Sequence, residues 1–369
     1  MPTRAPIAVL FGTRPEAIKL APVILALRKR RVPHAVVTTG QHAQMVEEVL
    51  GLFGIQPDVD LGLMRQPQSL DYLLTQAVVG VGEQLDRIQP LAVIVQGDTT
   101  SMLGSVLAAF HRGIPVAHVE AGLRSSHISL PFPEEMNRRA ASLMAHWHFA
   151  PTAGAAANLR ADRVTGEIHV VGNTVVDAMR TIDDASLGSL PAPLAAFLGE
   201  APYLLATAHR RESWGPGITG IATGLSDALR ALPDHRLIFV AHPNPAARGP
   251  VDEILGHQAR ACVIDALPYA DFLSLLRGAQ LVVSDSGGVQ EEGPTLGIPV
   301  LVTRTVTERH EGVLAGAVRL IGTDAAAVRD ATLGLLGAPA ELAEMGRAGR
   351  GLYGDGHASA RIARVLSVG

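Results

Sequence analysis

The chain has 369 residues, 47% hydrophobic, with 38 glycines and 24 prolines, a composition that suits a turn-rich α/β protein of two domains. Its formal net charge of −4 carries no basic block, which gives no support to binding nucleic acid or an anionic membrane, and neither is expected as a partner. The single cysteine, Cys262, excludes a disulfide framework and a zinc–thiolate cluster.

In chain order, Ile7–Phe11 is apolar throughout and predicts a buried strand, with no h-region or cleavage site before it. A helix over Glu16–Arg31, a strand over His34–Thr39 and a helix over Ala43–Phe53 follow. Then come a helix over Ser69–Arg87, a strand at Leu91–Val95, a helix over Met102–Arg112, a strand at Pro115–Val119 and a helix over Glu134–Ala145. This alternation predicts a parallel sheet covered on both faces, with ligand groups in the loops at the carboxyl ends of its strands. The most apolar longer window, Ala140–Leu159, holds His146, His148, Pro151 and Asn158 and is a poor membrane span, so a cytoplasmic protein is expected.

Between Gly172 and Pro202 the alternation lapses, and the small-residue stretch Ala185–Pro193 is expected to be a hinge. A second series begins at Tyr203–Thr207 and continues through Gly217–Leu232, Leu237–Ala241, Val251–Leu255, Ala261–Ile264, Tyr269–Arg277, Gln280–Val283 and Pro299–Thr303. Two lobes around a cleft are therefore expected, over residues 1–172 and 173–355. A last helix over 356–369 is expected to return to the first lobe.

Polar residues recur at strand ends. Ser284 to Glu292, after Gln280–Val283, reads as strand, Gly287–Gly288 turn, helix opening and acid, an arrangement that holds a nucleotide diphosphate with Glu292 on the ribose. Arg14 and Lys19 follow the first strand; a cation at a helix start opposes the dipole unless an anion is present. Asp98 and Glu120 end two apolar strands and Glu134 opens a helix. Crowded carboxylates of this kind supply acid and base forms together. His209 and Arg210 close the first strand of the second series, a grouping that suits a pyrophosphate. There is no G-x-G-x-x-G and no P-loop, and His146-x-His148 lacks a third ligand nearby, so neither a cofactor nor a metal is expected.

Taken together, FGTRPEAIKLAPV, TGQH, VQGDTTS, HVEAGLRS, PFPEEMNRR, HRRES, HPNP, SDSGGVQEE, GIPVLVTRTVTER and YGDG make the chain closely resemble the non-hydrolysing UDP-N-acetylglucosamine 2-epimerases. The resemblance implies a glycosyltransferase-B-like fold of two Rossmann-like lobes, usually as a homodimer, acting in cell-envelope polysaccharide biosynthesis. It implies that Ser286, Gly287, Gly288, Glu292 and Arg309 bind UDP, that Phe272 lies near the uracil and that Arg14 and Lys19 contact substrate. Asp98, Glu120, Glu134 and His209 match catalytic and sugar-site positions, and Gln41, Gln44, Glu135 and His242 match effector contacts. Two positions depart from the family pattern: His310 stands where a proline commonly follows TER, and Pro67 lies where an arginine commonly precedes a Gln-Thr-Leu motif.

The implied reaction is reversible C2 epimerisation of UDP-GlcNAc and UDP-ManNAc, by anti elimination of UDP to 2-acetamidoglucal and re-addition. A hydrolysing relative that releases ManNAc, a 2-epimerase for a modified UDP-sugar, a retaining glycosyltransferase and a silent UDP-sugar sensor remain as rivals. Retention of all three acids argues against the sensor.

Overall fold

Residues 5–40, 43–64, 69–125, 127–182, 190–210 and 213–367 are described by a computed structural model. The chain forms two compact units, Met1–Asp183 with Tyr353–Gly369, and Asp184–Leu352.

The first unit runs β1 (Ile7–Phe11), α1 (Arg14–Lys29), β2 (His34–Thr38), α2 (Ala43–Leu52), β3 (Val59–Asp60), α3 (Leu70–Ile88), β4 (Ala92–Gln96) and α4 (Thr100–Phe110). It continues with β5 (Val116–Val119), α5 (Glu134–Met144), β6 (Trp147–Ala150), α6 (Ala153–Ala161), β7 (Glu167–Val170) and α7 (Thr174–Thr181). Its seven strands lie in the order β3-β2-β1-β4-β5-β6-β7, all parallel. Strands β1, β4 and β5 are buried along their whole length, as expected of central strands covered on both faces.

The second unit holds α8 (Ala192–Leu198), β8 (Tyr203–Ala208), α9 (Pro216–Ala231), β9 (Arg236–Ala241), α10 (Pro245–Leu255), β10 (Ala261–Ile264), α11 (Tyr269–Gly278) and β11 (Leu281–Ser284). After these come α12 (Val289–Leu296), β12 (Val300–Val302), α13 (His310–Leu314), β13 (Val318–Leu320), α14 (Ala325–Leu336) and α15 (Pro339–Gly349). Its six parallel strands are ordered β10-β9-β8-β11-β12-β13. The final helix, α16 (Ala358–Ser367), belongs to the first unit.

Both sheets reverse strand order once, between β1 and β4 in the first and between β8 and β11 in the second. Loops diverge above such a switch point and leave a crevice at the carboxyl ends of the strands.

The first unit extends to Asp183 rather than ending at 172. The reason is α7, which packs on α1 and α16. Asp177 of α7 also accepts the backbone N–H groups of Ala358 (3.2 Å) and Ser359 (2.8 Å) and the Ser359 hydroxyl, so it caps α16. Helix α1 is sandwiched against sheet, α7 and α16, which explains an almost wholly buried helix from Glu16 to Ile24. The stretch expected to lapse contains α7 and α8, while 183–189 lie outside the described residues. The apolar window around 140–159 becomes the end of α5, β6 and most of α6. Among the described residues no helix is long and apolar enough to cross a membrane.

Candidate functional site

In the first unit, the loops after β1 and β4 are tied together by Glu16. This residue lies three positions after the α1 N-cap Thr13, and its Oε2 accepts the N–H groups of Gly12 and Thr13, both at 2.8 Å. Its Oε1 accepts the Thr99 hydroxyl at 2.6 Å, across the switch point. Burial raises the Glu16 pKa above its ordinary value, against the pull of these donors. Strand-end patterning passes over Glu16, although T-x-x-E before an apolar helix is a usable signal.

Glu120 follows β5 directly and is 8% exposed. Its φ of +64° is a conformation that a side chain other than glycine rarely takes, and it persists only where the surroundings impose it. Donors from α1, β4 and the start of α7 converge on its carboxylate. The Lys19 ammonium forms an ion pair with Oε1, the Gln96 amide donates to Oε2, and Asn173 Nδ2 approaches Oε1 at 3.3 Å. Lys19 reaches inward from α1, so this cation is buried against a carboxylate rather than solvated.

Asp98 sits beyond the end of the neighbouring strand, β4. Arg138 donates to its Oδ2 at 2.6 Å and Asn137 to its backbone carbonyl at 2.8 Å, which docks α5 against this loop. Glu134 is four residues before Arg138 on α5 and therefore shares its face. Glu135, fully buried, accepts the Ser125 N–H at 3.0 Å and pairs with Arg139 at 2.6 Å and Arg138 at 3.1 Å. Arg14 is the first residue of α1, half-buried beside the Glu16 loop.

Two histidines lie beneath this crevice, at paired positions of β5 and β6. His118 Nε2 donates to the Gly97 carbonyl at 2.7 Å. His148 is wholly buried, and among the described residues neither of its ring nitrogens has a hydrogen-bond partner. Burial lowers the pKa of both, and that of His148 to about 4.

In the second unit, the brace across the switch point is Asp285, just after β11 and fully buried. Its carboxylate accepts the backbone N–H groups of His209 (3.1 Å) and Arg210 (2.9 Å) and the Ser213 hydroxyl (3.0 Å), and lies 3.3 Å from His209 Nδ1. Asp285 stands within SDSGG, yet nothing in the sequence singles it out, because a chain-distant backbone partner leaves no local pattern. Desolvation lowers the His209 pKa, with Arg210 and Arg304 acting in the same direction and Asp285 opposing. The side chain nonetheless keeps 44% of its surface exposed.

Neither Gly287 nor Gly288 has a positive φ; Gly288 is helical, at φ −63° and ψ −42°. The turn therefore does not need glycine for left-handed backbone. Space is what Gly287 supplies: a Cβ there would stand 2.9 Å from Arg309 Nη1. Arg309 is buried between Glu291, at 2.6 Å, and Glu308, which also pairs with Arg304 at 3.1 Å. Ser286 presents its N–H to Ser284 Oγ at 3.0 Å. Glu292, in the first turn of α12, accepts the buried Tyr269 hydroxyl at 2.9 Å, and Phe272 is buried on the same helix as Tyr269.

Of the expected effector contacts, Gln44 is exposed on α2, and His242 accepts the Asn244 N–H at 3.0 Å beside the Trp214 ring. Gln41 and Pro67 lie outside the described residues. Among the described residues no group of three or more His, Cys, Asp or Glu could hold a metal.

Residues 25–367 match the family model described as UDP-N-acetylglucosamine 2-epimerase. A probable UDP-N-acetylglucosamine 2-epimerase of Ralstonia solanacearum is 42% identical over 368 residues, 98% of each chain. The crystal structure of UDP-GlcNAc 2-epimerase from Neisseria meningitidis bound to UDP-GlcNAc superposes with a TM-score of 0.93 at 36% identity, covering 98% of this chain and 100% of that one. An S. aureus MnaA–UDP co-structure gives 0.93 at 37% identity, covering 99% and 96%.

Proposed function

The chain belongs to the UDP-N-acetylglucosamine 2-epimerase family, and from that premise we propose that it interconverts UDP-GlcNAc and UDP-ManNAc through elimination and re-addition of UDP. The proton on C2 is too weakly acidic for simple removal, so its loss is coupled to departure of the C1 substituent. A base takes the C2 proton, the C–H pair forms the C1–C2 double bond, and the C1–O pair leaves on the diphosphate. The products are 2-acetamidoglucal and UDP. Return of the diphosphate to C1, with a proton delivered to C2 from the other face, completes the inversion.

The observation that carries this reading is Glu120, a buried carboxylate in a strained conformation at a strand end, surrounded by Lys19, Gln96 and Asn173. Two of Asp98, Glu120 and Glu134 act as base and acid. His209, Arg210 and the Ser286–Gly288 turn stabilise the leaving diphosphate, with the N-terminus of α12 adding its dipole. Glu292 accepts the ribose hydroxyls, Arg309 contacts the nucleotide through the space at Gly287, Phe272 lies by the uracil, and Arg14 and Lys19 face the substrate. The enzyme works in the cytoplasm as a homodimer, within cell-envelope polysaccharide synthesis, and needs neither metal nor redox cofactor. Pro67 supplies no guanidinium for an activating nucleotide, so UDP-ManNAc turns over without added UDP-GlcNAc.

The test is incubation with UDP-GlcNAc in deuterated water, followed by NMR. UDP-HexNAc carrying one deuteron at C2 is expected. Accumulation of free ManNAc would make the enzyme hydrolysing, and turnover with the C2 proton retained would end the elimination mechanism.

A further inference from the structure

Glu120 is held by groups from three places in the first unit, and one of them, Asn173, has each of its polar atoms assigned a separate task. Its backbone N–H donates to the Tyr353 carbonyl at 2.8 Å, where the chain returns to this unit. Gly172 (φ +97°) and Gly354 (φ +120°) meet at this crossing, and a Cβ on Gly354 would stand 3.2 Å from Gly172 Cα. Its side-chain Oδ1 accepts the Val175 N–H at 3.0 Å and caps α7. With the backbone pinned by the returning chain and Oδ1 fixed by the helix, the geometry aims Nδ2 at Glu120 Oε1. The opposite oxygen is met by the Gln96 amide from the end of β4.

We infer that Asn173 and Gln96 are positioning residues: two buried carboxamides that fix the orientation of the Glu120 carboxylate and favour its ionised form. The inference rests on the reading of Glu120 as a catalytic group. A carboxylate only accepts hydrogen bonds, so an amide donor on each oxygen leaves the proton no competing site. Lys19 from α1 adds charge on the same side. Also facing this region are His118 of β5, Asp98 with its Arg138 partner from α5, and Arg124, and none of these is altered in the variants below. The tie to Tyr353 links the YGDG segment to Asn173 and so to a site far from it in sequence.

The chemistry of position 173 separates the two tasks of its side chain. Serine and aspartate both keep an N-cap acceptor for α7, and both remove the amide donor. Aspartate further brings a like charge to Glu120. Loss of a donor raises the Glu120 pKa whether the group works as base or as acid, so the limb of the kcat/KM–pH profile that it governs moves to higher pH in either role.

The experiment measures kcat and KM for UDP-GlcNAc against pH in wild type, Asn173→Ser, Asn173→Asp, Gln96→Glu and Glu120→Gln, with thermal melting as the check of folding. The expected result is a fall in kcat with KM within about twofold. One limb moves upward in both Asn173 variants, further for aspartate, by about one pH unit or more. Unmoved limbs in the folded variants, with Glu120→Gln inactive, overturn the positioning role and leave the site reading intact. A Glu120→Gln enzyme with wild-type turnover removes the site reading and this inference with it. If the Asn173 variants do not fold, Gln96→Glu decides: its like charge must raise the same limb, and an unmoved limb overturns the inference.

Discussion

Each unit closes the switch point of its sheet with one buried acid, and the two acids do the same mechanical work from different directions. Glu16 and Asp285 each accept two backbone N–H groups from a loop after the first strand at the switch point and a hydroxyl besides. Beyond these braces the units diverge. In the first, the strand ends carry Asp98 and Glu120, and the surrounding cations and amides point at those carboxylates. In the second, the strand ends carry His209 and Arg210, and the buried acids Glu291 and Glu308 serve to hold arginines. In the function proposed above, the first crevice positions carboxylates for proton transfer and the second presents cations and backbone N–H groups to an anion.

The sharpest way to break this contrast is Glu120→Gln. The amide keeps the shape and removes proton-transfer capacity, so kcat is expected to fall about 10²–10⁴-fold. UDP affinity by calorimetry is expected to stay within about 0.5 kcal/mol of wild type, because the substitution lies outside the unit proposed to bind the nucleotide. Asp98→Asn and Glu134→Gln form the same series, with a loss of this order at one of them at least. Near wild-type rates in all three would end the division of labour.

The units also differ beneath their crevices, where the first buries His118 and His148. The ordinary histidine pKa of 6.5 is lowered to about 4 at His148 by burial, so the unfolded chain takes up this proton first as pH falls. Its contribution is complete above pH 6.5 and is lost progressively down to about 4, amounting to about 3 kcal/mol. His118 has the same sign, and Glu16, with a raised pKa, opposes both by favouring the folded state as it protonates. Urea unfolding of wild type and His148→Leu between pH 7.5 and 5 isolates the effect. The wild-type slope is expected to be steeper, and equal slopes would exclude His148 as its source.

What can be read from the sequence follows from which interactions are local. The alternation of apolar strands and helices places β1, β2, β4 and β5 and the strands β8 to β12, and polar residues after them mark both crevices. The segment β6–α6–β7 is not legible: α6 is alanine-rich with little periodicity, and β7, Glu-Ile-His-Val, is an edge strand with two exposed residues. Glu16 carries a local signal through Thr13. Gln96, Asn173 and Asp285 act through partners distant in the chain, which no spacing rule reveals. The space at Gly287 is taken up by the Arg309 side chain, a partner distant in the chain that the local sequence does not reveal.

A smaller effect tests the nucleotide side. Glu292→Ala removes a buried carboxylate from the first turn of α12 and is expected to weaken UDP binding by about 1–3 kcal/mol by calorimetry, with and without EDTA. Tyr269→Phe is the control: it removes only the hydroxyl that donates to Glu292, and about 1 kcal/mol or less is expected. Unchanged affinity in Glu292→Ala would withdraw its ribose contact, and an absolute need for Mg²⁺ would end the metal-free site.

The finest division falls between two adjacent glycines. At 287 a methyl group would meet the Arg309 guanidinium at 2.9 Å, closer than real Cβ contacts come. That guanidinium cannot swing away cheaply, because Glu291 and Glu308 hold it from the other side. Gly287→Ala therefore has to displace a paired, buried cation, and a loss of about 1–3 kcal/mol in fold stability is expected, the range for overpacking, with UDP affinity falling as Arg309 moves. At 288 the backbone is already helical, and a Cβ there would stand 3.8 Å from its nearest neighbours, the Glu292 carboxylate oxygens, which is ordinary contact. Gly288→Ala is then expected to leave fold stability within about 0.5 kcal/mol. Any loss of UDP affinity it does show, with stability unchanged, measures how closely the diphosphate approaches the α12 N-terminus. Equal losses of stability at both positions would show that both glycines serve the turn itself, and the distinction between space for Arg309 and space for the ligand would fall.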